Sequence, residues 1–96
     1  MKLMYVYILK CNDGTYYTGV TNDVDRRVKE HADGNDPTAY TFRRRPLELV
    51  YHQMFDAPWK AIEFETRLKK WSKKKKEALI NGDFNSLPEL SKKQFK

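Results

Sequence analysis

The sequence predicts a mixed α/β (α+β) domain, in which a small, mainly antiparallel three-stranded sheet is flanked by helices in the order β-β-α-β-α-α. Three observations support this fold class. Residues 5–11 and 15–20 alternate around β-favouring side chains on either side of a turn sequence. Apolar residues at helical spacing follow the second stretch at once. A third alternating stretch, residues 47–55, is then followed by two further helical patterns.

The first two strands are predicted to form a hairpin. Asn12, Asp13 and Gly14 join them, and Asp and Gly tolerate the positive φ angles that a tight turn needs. Successive side chains of a strand point to opposite faces. One face of the first strand is therefore predicted to carry Tyr5, Tyr7, Leu9 and Cys11. On the second strand, Tyr17 and Gly19 share a face.

The first helix directly follows the second strand. Asn22 or Asp23 is a suitable N-cap, because a short polar side chain can accept a hydrogen bond from the first helical turn. Val24 and His31 are seven residues apart and share one helix face, and Arg27 lies between them on the same side. The helix is thus predicted to direct a guanidinium and an imidazole toward the strand tyrosines.

The neighbouring Arg26 is predicted to point outward, where Glu30 can form an ordinary solvated ion pair with it. Arg27 and His31 differ from Arg26, because polar groups on a buried face cost free energy unless they are paired or used. His31 is either a satisfied structural histidine or a functional group, and the residues alone leave both readings open.

A turn-rich loop and a basic run separate the first helix from the third strand. Gly34 is placed to end the helix. Pro46 favours an extended conformation for the residue before it, so the arginines are predicted to lead into the strand. In the third strand, one face is predicted to carry Leu47, Leu49 and Tyr51, and the other Val50, His52 and Met54. Its interspersed polar residues indicate an exposed or edge strand.

The second helix is predicted over residues 59–71, after a proline that is tolerated in a first helical turn. Its apolar stripe consists of Ala61, Leu68 and Trp71, with Ile62 and Phe64 beside it. Glu65 falls within the stripe, which predicts a partly buried carboxylate, whereas Glu63 points away toward Arg67. Glu65 is either the i,i+4 partner of Lys69 or a group held for function.

A third, short helix is predicted after Ser72, a plausible N-cap. It begins with the four lysines of residues 73–76 and ends at an Asn-Gly pair. We predict one domain over residues 1–82 and a C-terminal tail over residues 83–96, with a packed start and a frayed end.

Composition limits the function classes. The chain of 96 residues is long enough for one domain, and its net charge of +6 predicts attraction to polyanions. The basic runs are either solvated charge or phosphate contacts. The candidate nucleic-acid-binding residues are Arg43, Arg44, Arg45, Lys73 and Lys74. The single Cys11 fits a reducing cytoplasm, and no apolar stretch approaches the length of a membrane span.

Two tripeptides carry a family resemblance. Residues 5–7 (Tyr-Val-Tyr) and 17–19 (Tyr-Thr-Gly), at this spacing, resemble the two signature tripeptides, Gly-Ile-Tyr and Tyr-Ile-Gly, of the GIY-YIG nuclease domain. Arg27 matches the family's helix arginine and His31 its histidine. The resemblance runs from about residue 5 to residue 80, and it is strongest to the small, standalone GIY-YIG proteins whose biological role is poorly assigned.

The resemblance implies the GIY-YIG fold and a phosphodiester hydrolase of the endonuclease type that depends on a single Mg²⁺ and acts on DNA rather than RNA. Tyr17 would activate a water, with Tyr7 as its hydrogen-bonding partner. Arg27 and His31 would steady the phosphate. Glu65 would hold the metal, and Mg²⁺ suits one carboxylate because it keeps most of its waters. Family nucleases usually gain their target from extra domains, so specificity is expected to come either from the shape of the substrate or from a protein partner.

Two other functions stay open at this point. A non-catalytic nucleic-acid-binding module, for DNA or RNA, would have the same charge and fold. A protein-interaction domain would keep the scaffold alone. The presence of both tyrosine hydroxyls together with Arg27 and Glu65 favours the enzyme, since a pure binding module does not need a carboxylate on a buried face.

Overall fold

The computed structural model describes residues 2–83. In chain order, the elements are the strands β1 (Met4–Lys10) and β2 (Tyr16–Thr21), the helix α1 (Val24–Asp33), a short 3-10 helix (Phe42–Arg44), the strand β3 (Glu48–Phe55) and the helices α2 (Pro58–Lys69) and α3 (Lys73–Ile80). The predicted element order is confirmed. The predicted domain boundary stays a prediction, because the tail from residue 84 onward lies outside the described residues.

The sheet has three antiparallel strands in the order β2-β1-β3. The central strand β1 is buried on both faces from Val6 to Leu9. Tyr7 lies opposite Gly19 on β2, and Leu9 lies opposite Tyr17. Because directly opposite residues share a face, Tyr7 of the first signature tripeptide and Tyr17 of the second lie on the same side of the sheet.

A β-bulge in β3 corrects the predicted faces of this strand. Ile8 pairs with Tyr51 but Leu9 pairs with Leu49, so Val50 is an extra residue in the ladder. The prediction that Leu49 and Tyr51 share a face is wrong, because the inserted residue reverses the alternation between them. Leu49 is accordingly exposed, while Tyr51 packs against the core.

The main hydrophobic core lies on the face of the sheet opposite Tyr7. It consists of Val6 and Ile8 from β1, Ala61, Phe64 and Leu68 from α2, Trp71 from the following turn, and Ala78 and Leu79 from α3. The predicted apolar stripe of α2 is therefore confirmed, except that Ile62 is 53% exposed. Among residues 2–83, the helices fall short of the length and apolar character that a membrane crossing requires.

Both ends of α1 are capped as the sequence predicts. The Asp23 side chain accepts a hydrogen bond from the Arg26 backbone N–H at 3.0 Å. Gly34 adopts φ +68° and donates its N–H to the His31 carbonyl at 3.2 Å. The Arg45 guanidinium packs so closely on Gly34 that a Cβ there would lie 2.5 Å from it. These caps fix the register in which α1 presents its inner face to the sheet.

Candidate active site

The centre of the candidate site is Tyr7, which is 1% exposed in the middle of the sheet. Its ring crosses toward β2 directly over Gly19. A Cβ at Gly19 would lie 2.5 Å from the Tyr7 hydroxyl oxygen, so a larger residue at that position would displace the ring. The position of the Tyr7 ring therefore explains why the second tripeptide has a glycine at residue 19.

A line of hydrogen bonds leads from Tyr7 into the protein. The Tyr7 hydroxyl is 3.0 Å from His31 Nε2, and His31 Nδ1 is 2.8 Å from Thr41 Oγ1. His31 and Thr41 are 5% and 1% exposed, so both imidazole nitrogens have fixed partners away from water. The sequence did not indicate Thr41, because nothing local marks a threonine ten residues beyond a histidine as its partner.

Aromatic rings surround this line. Tyr17 contacts the edge of His31 at a centroid distance of 5.1 Å and lies 6.3 Å from Tyr7. On its other side it stacks on Tyr40, with centroids 6.2 Å apart and ring planes at 22°. Tyr17 is half-buried, whereas Tyr7 is almost completely enclosed. Of the two residues, Tyr17 is therefore the one more exposed to solvent.

Arg27 lies beside the same group. Its side chain is 40% exposed, forms a 3.1 Å ion pair with Glu30 and interacts with the Tyr7 hydroxyl. The side chain of Arg26 is 56% exposed and reaches Glu30 only at 3.9 Å. The predicted helical phase is thus present in the structure, with Arg27 inward and Arg26 outward, and the two arginines share one carboxylate.

Burial sets the protonation states at this site. It raises the pKa of Tyr7 to about 12, an effect that the Arg27 guanidinium opposes. Burial, and then the charge of Arg27, lower the pKa of His31. At neutral pH the site therefore holds a phenol, a neutral imidazole and a guanidinium. A neutral imidazole has one N–H and one lone pair, so it can accept a proton on one side and donate one on the other.

The lowered pKa of His31 predicts a pH dependence of stability. Unfolding returns His31 to an ordinary pKa near ~6.5, so the unfolded chain binds the proton first. The free energy of unfolding should fall as the pH drops through and below that value. Denaturant unfolding between pH 7.5 and 5 should show this fall in the wild type and in His52→Gln, which changes the chain's other, exposed histidine. His31→Gln should flatten it. Equal slopes in the two variants would contradict the prediction.

Glu65 comes from a different element than the residues of the hydrogen-bonded line. It is on α2, which packs on the Val6 and Ile8 face, and its side chain is 15% exposed, as the sequence predicted for a partly buried carboxylate. Its Oε2 atom is 3.0 Å from Lys69 Nζ, so the ion pair that the sequence allowed is formed. The structure therefore groups Tyr7, Tyr17, Arg27 and His31, and places Glu65 on a separate helix.

The donors present limit the kind of metal site. Within residues 2–83, no group of three or more His, Cys, Asp or Glu side chains is arranged to hold an ion. A cage made wholly of protein ligands is thus not formed in this part of the chain. One partly buried carboxylate does fit Mg²⁺, which is commonly held through one or two carboxylates and completed by waters and substrate phosphates. Glu65, with its side chain 15% exposed, fits this description.

The basic runs are used in two ways. Arg43 is exposed, whereas Arg44 and Arg45 direct donors at protein atoms. Arg44 Nε bonds Asp13 in the hairpin turn at 3.1 Å, and Lys73 Nζ lies 3.7 Å from the Cβ position of Gly14 in the same turn. The hairpin turn thus brings the arginine run and the lysine run together, although they are far apart in sequence.

A groove of about 880 Å³ opens beside Arg27. It lies between α1, the ends of β1 and β2, and the start of α2. Cations and apolar side chains both line it, including Lys2, Leu3, Met4, Val20, Arg26 and Pro58. Arg27 and the carboxylate of Glu30 also line the groove, so an anionic chain lying in it would meet several cations and one acidic group.

Residues 3–78 match the family model of the GIY-YIG catalytic domain. The chain is 43% identical over 90 residues to a UPF0213 protein of Halalkalibacterium halodurans, covering 91% of this chain and 95% of that protein. It is 48% identical over 76 residues to a UPF0213 protein of Halobacterium salinarum, covering 79% and 97%.

Two solved structures have a similar fold. The solution NMR structure of a UPF0213 protein from Bacillus halodurans has a TM-score of 0.54 and 46% identity, covering 82% of this chain and 83% of that one. The solution NMR structure of a protein from E. faecalis has a TM-score of 0.60 and 31% identity, covering 85% and 86%. These likenesses extend over most of each chain.

Proposed function

This chain belongs to the GIY-YIG catalytic-domain family, and we propose that it is an endonuclease-like phosphodiester hydrolase that depends on Mg²⁺ and acts on DNA. The observation that carries the proposal is the grouping of Tyr7, Tyr17, Arg27 and His31 around one buried hydrogen-bonded line. A purely structural cluster would not need a guanidinium beside a buried phenol.

The half-buried Tyr17 is the residue that orients the attacking water and, once its hydroxyl has given its own proton to solvent, accepts the proton of that water. The enclosed Tyr7, with a pKa raised to about 12, keeps its proton and acts as a fixed hydrogen-bonding group. Arg27 faces the phosphate, where a planar group with five donors stabilises the negative charge that develops in the transition state. The neutral His31 holds the Tyr7 hydroxyl in place through its Nε2 atom.

Glu65 is the residue that would hold the Mg²⁺ ion. When bound, the ion would supply positive charge to the leaving oxygen. The carboxylate is kept in place by its ion pair with Lys69, so a substrate-bound metal competes with an ammonium group for one oxygen. That competition favours a metal that arrives together with the phosphate over one that is resident in the free protein.

The basic surface and the groove support nucleic acid as the ligand. Exposed cations near the hairpin turn, with Lys2 along the groove, offer phosphate contacts that position a chain without reading its sequence. We place the protein in the cytoplasm, where its buried Cys11 would stay reduced. We also propose that a protein partner supplies specificity for the nucleic-acid target.

A second candidate is a nucleic-acid-binding module without catalysis, on DNA or RNA. The ion pair of Glu65 with Lys69 favours it, because that contact gives the carboxylate a structural use. Incubation with Mg²⁺ and a panel of single-stranded, flapped, branched and duplex DNA and RNA distinguishes the two functions. If the protein is the proposed enzyme, it should cleave at least one member of the panel, and both EDTA and Glu65→Ala should abolish that cleavage. Binding to the panel without cleavage of any member would support the module.

The basic surface makes a prediction about salt. Each phosphate contact contributes about 0.7–0.9 to the slope of log affinity against log salt. Arg43→Ala and Lys73→Ala should each flatten the slope by about that amount. Lys29→Ala is the control, because it removes one charge that is exposed on α1 and paired with Asp33 at 2.7 Å. Fluorescence titrations of labelled DNA from 50 to 300 mM salt measure the slopes. If Lys29→Ala flattens the slope as much as Arg43→Ala, the proposal that DNA contacts the surface near the hairpin turn is wrong.

A further inference from the structure

The loop between α1 and β3 places two neighbouring side chains on the two groups at the centre of the site. Tyr40 stacks on Tyr17, and Thr41 is 2.8 Å from His31 Nδ1. Tyr40 is 44% exposed and therefore approaches the site from the solvent side, whereas Thr41 is 1% exposed and approaches it from the interior. A single dipeptide thus contacts both Tyr17, the residue proposed to activate water, and His31, the residue that holds the Tyr7 hydroxyl.

Tyr40 is itself held in place. The Arg44 guanidinium carbon lies 3.7 Å from the centre of its ring, and Arg44 Nη1 donates to the Tyr40 carbonyl at 2.8 Å. The Tyr40 hydroxyl donates to Thr15 Oγ1 at 3.0 Å. A stacked ring fixed by a cation and by a hydrogen bond has little freedom to rotate, so it restricts the ring beside it.

Asp13 anchors this arrangement to the hairpin. One carboxylate oxygen accepts from the Thr15 hydroxyl at 2.6 Å and from its backbone N–H at 3.1 Å, and the other accepts from Arg44 Nε at 3.1 Å. The Asn12 N–H also donates to the Arg44 carbonyl at 2.8 Å. The same turn that sets the register of β1 and β2 therefore holds the loop that carries Tyr40.

We propose that Tyr40 and Thr41 are positioning residues for the reaction: Tyr40 fixes the ring of Tyr17, and Thr41 fixes the ring and the tautomer of His31. This inference rests on the proposed function. Neither side chain has to touch the substrate. Thr41 is enclosed, and Tyr40 already has Tyr17 and Arg44 against its ring. Arg44 acts through Tyr40, which explains why this arginine of the basic run donates its hydrogen bonds to protein atoms.

The first test separates positioning by Tyr40 from substrate binding. Tyr40→Phe keeps the ring and should retain kcat to within a few fold. Tyr40→Leu loses the ring and should lower kcat by roughly 10²-fold, because small misplacement of a reacting group has effects of that size. KM for the DNA that the wild type cleaves should stay unchanged. A raised KM with kcat unchanged in Tyr40→Leu would show that Tyr40 binds the nucleic acid, and would overturn its positioning role.

The second test concerns Thr41 and does not depend on catalysis. The ¹⁵N shifts of the His31 ring nitrogens report the tautomer. Thr41→Val removes the hydroxyl at nearly constant volume and should change the tautomer ratio, while Thr41→Ser should restore it. Thr38→Val is the control, since Thr38 is exposed in the same loop and bonds Asp36. An unchanged ratio in a folded Thr41→Val protein would overturn the positioning role of Thr41.

The two tests also distinguish this inference from the proposed function. If the wild type cleaves no member of the nucleic-acid panel, the proposed function fails, and positioning is then judged by NMR alone. In that case, the nuclear Overhauser contacts between the Tyr17 and His31 rings should weaken in Tyr40→Leu but not in Tyr40→Phe. Wild-type contacts between these rings in a folded Tyr40→Leu protein would overturn the positioning role of Tyr40 whether or not the protein is an enzyme.

Discussion

Arg27→Ala is expected to reduce DNA cleavage by roughly 10³-fold or more, because one fixed cation facing a phosphate has an effect of that order on phosphoryl transfer. The loss should appear in kcat, since the charge that Arg27 stabilises develops in the transition state. Binding should weaken little, because most of the affinity comes from the other cations of the surface. Single-turnover cleavage measures the chemical step directly.

Stability should not account for that loss. The ion pair of Arg27 with Glu30 is half-exposed, and such pairs contribute about 0.5 kcal/mol or less. A small domain loses roughly 4–8 °C in melting temperature per kcal/mol of lost stability. The melting temperature of Arg27→Ala should therefore stay within a few degrees of wild type. Removal of the guanidinium also takes a cation away from the Tyr7 hydroxyl, which shifts the balance further toward the protonated phenol.

Arg26→Ala is a closely matched control. It removes the same side chain from the adjacent position of α1 and loses a contact with the same carboxylate, Glu30. Cleavage should remain within a few fold of wild type. Arg27→Lys adds a second comparison, since it keeps the charge but not the planar fork. If Arg26→Ala is the more damaging variant, both the helix register and the alignment with the family are wrong.

The parts of the site that the sequence predicts are those that depend on local geometry. The separation of Arg27 from Arg26 follows from helical phase, and the shared face of Tyr17 and Gly19 follows from strand alternation. The contact of Gly19 with Tyr7 also requires the strand pairing, which the hairpin turn supplies. A periodic element and a recognisable turn are sufficient for this much.

The parts that the sequence does not predict depend on partners distant along the chain. A run of arginines looks like free charge, yet Arg44 binds Asp13, which is 31 residues away. Thr41 has no sequence feature that marks it as the partner of His31. The bulge at Val50 depends on how β3 meets β1, so no pattern within β3 indicates it. Irregular pairing and loop closure are tertiary effects, and single-strand periodicity carries no information on them.

Substitution of Glu65 is the second change for which we expect a large effect on cleavage. If Glu65 holds Mg²⁺, Glu65→Gln should lower cleavage by orders of magnitude, because the leaving oxygen loses its counter-charge. Binding of DNA should change little. Folding should be kept, since the lost pair with Lys69 contributes only about 0.3–0.5 kcal/mol, which corresponds to a fall in melting temperature of about 1–4 °C.

Two variants on the same helix separate metal binding from structure. Glu63→Gln breaks a similar i,i+4 pair, with Arg67 at 3.2 Å, at an exposed position and should leave cleavage unchanged. Lys69→Gln removes the ammonium that competes for the Glu65 carboxylate, so Mg²⁺ should raise its melting temperature more than that of the wild type. Thermal melts with and without Mg²⁺, run beside the cleavage assay, give both results. A clear fall in the melting temperature of Glu65→Gln with cleavage retained would assign the carboxylate to the ion pair and remove it from the metal site.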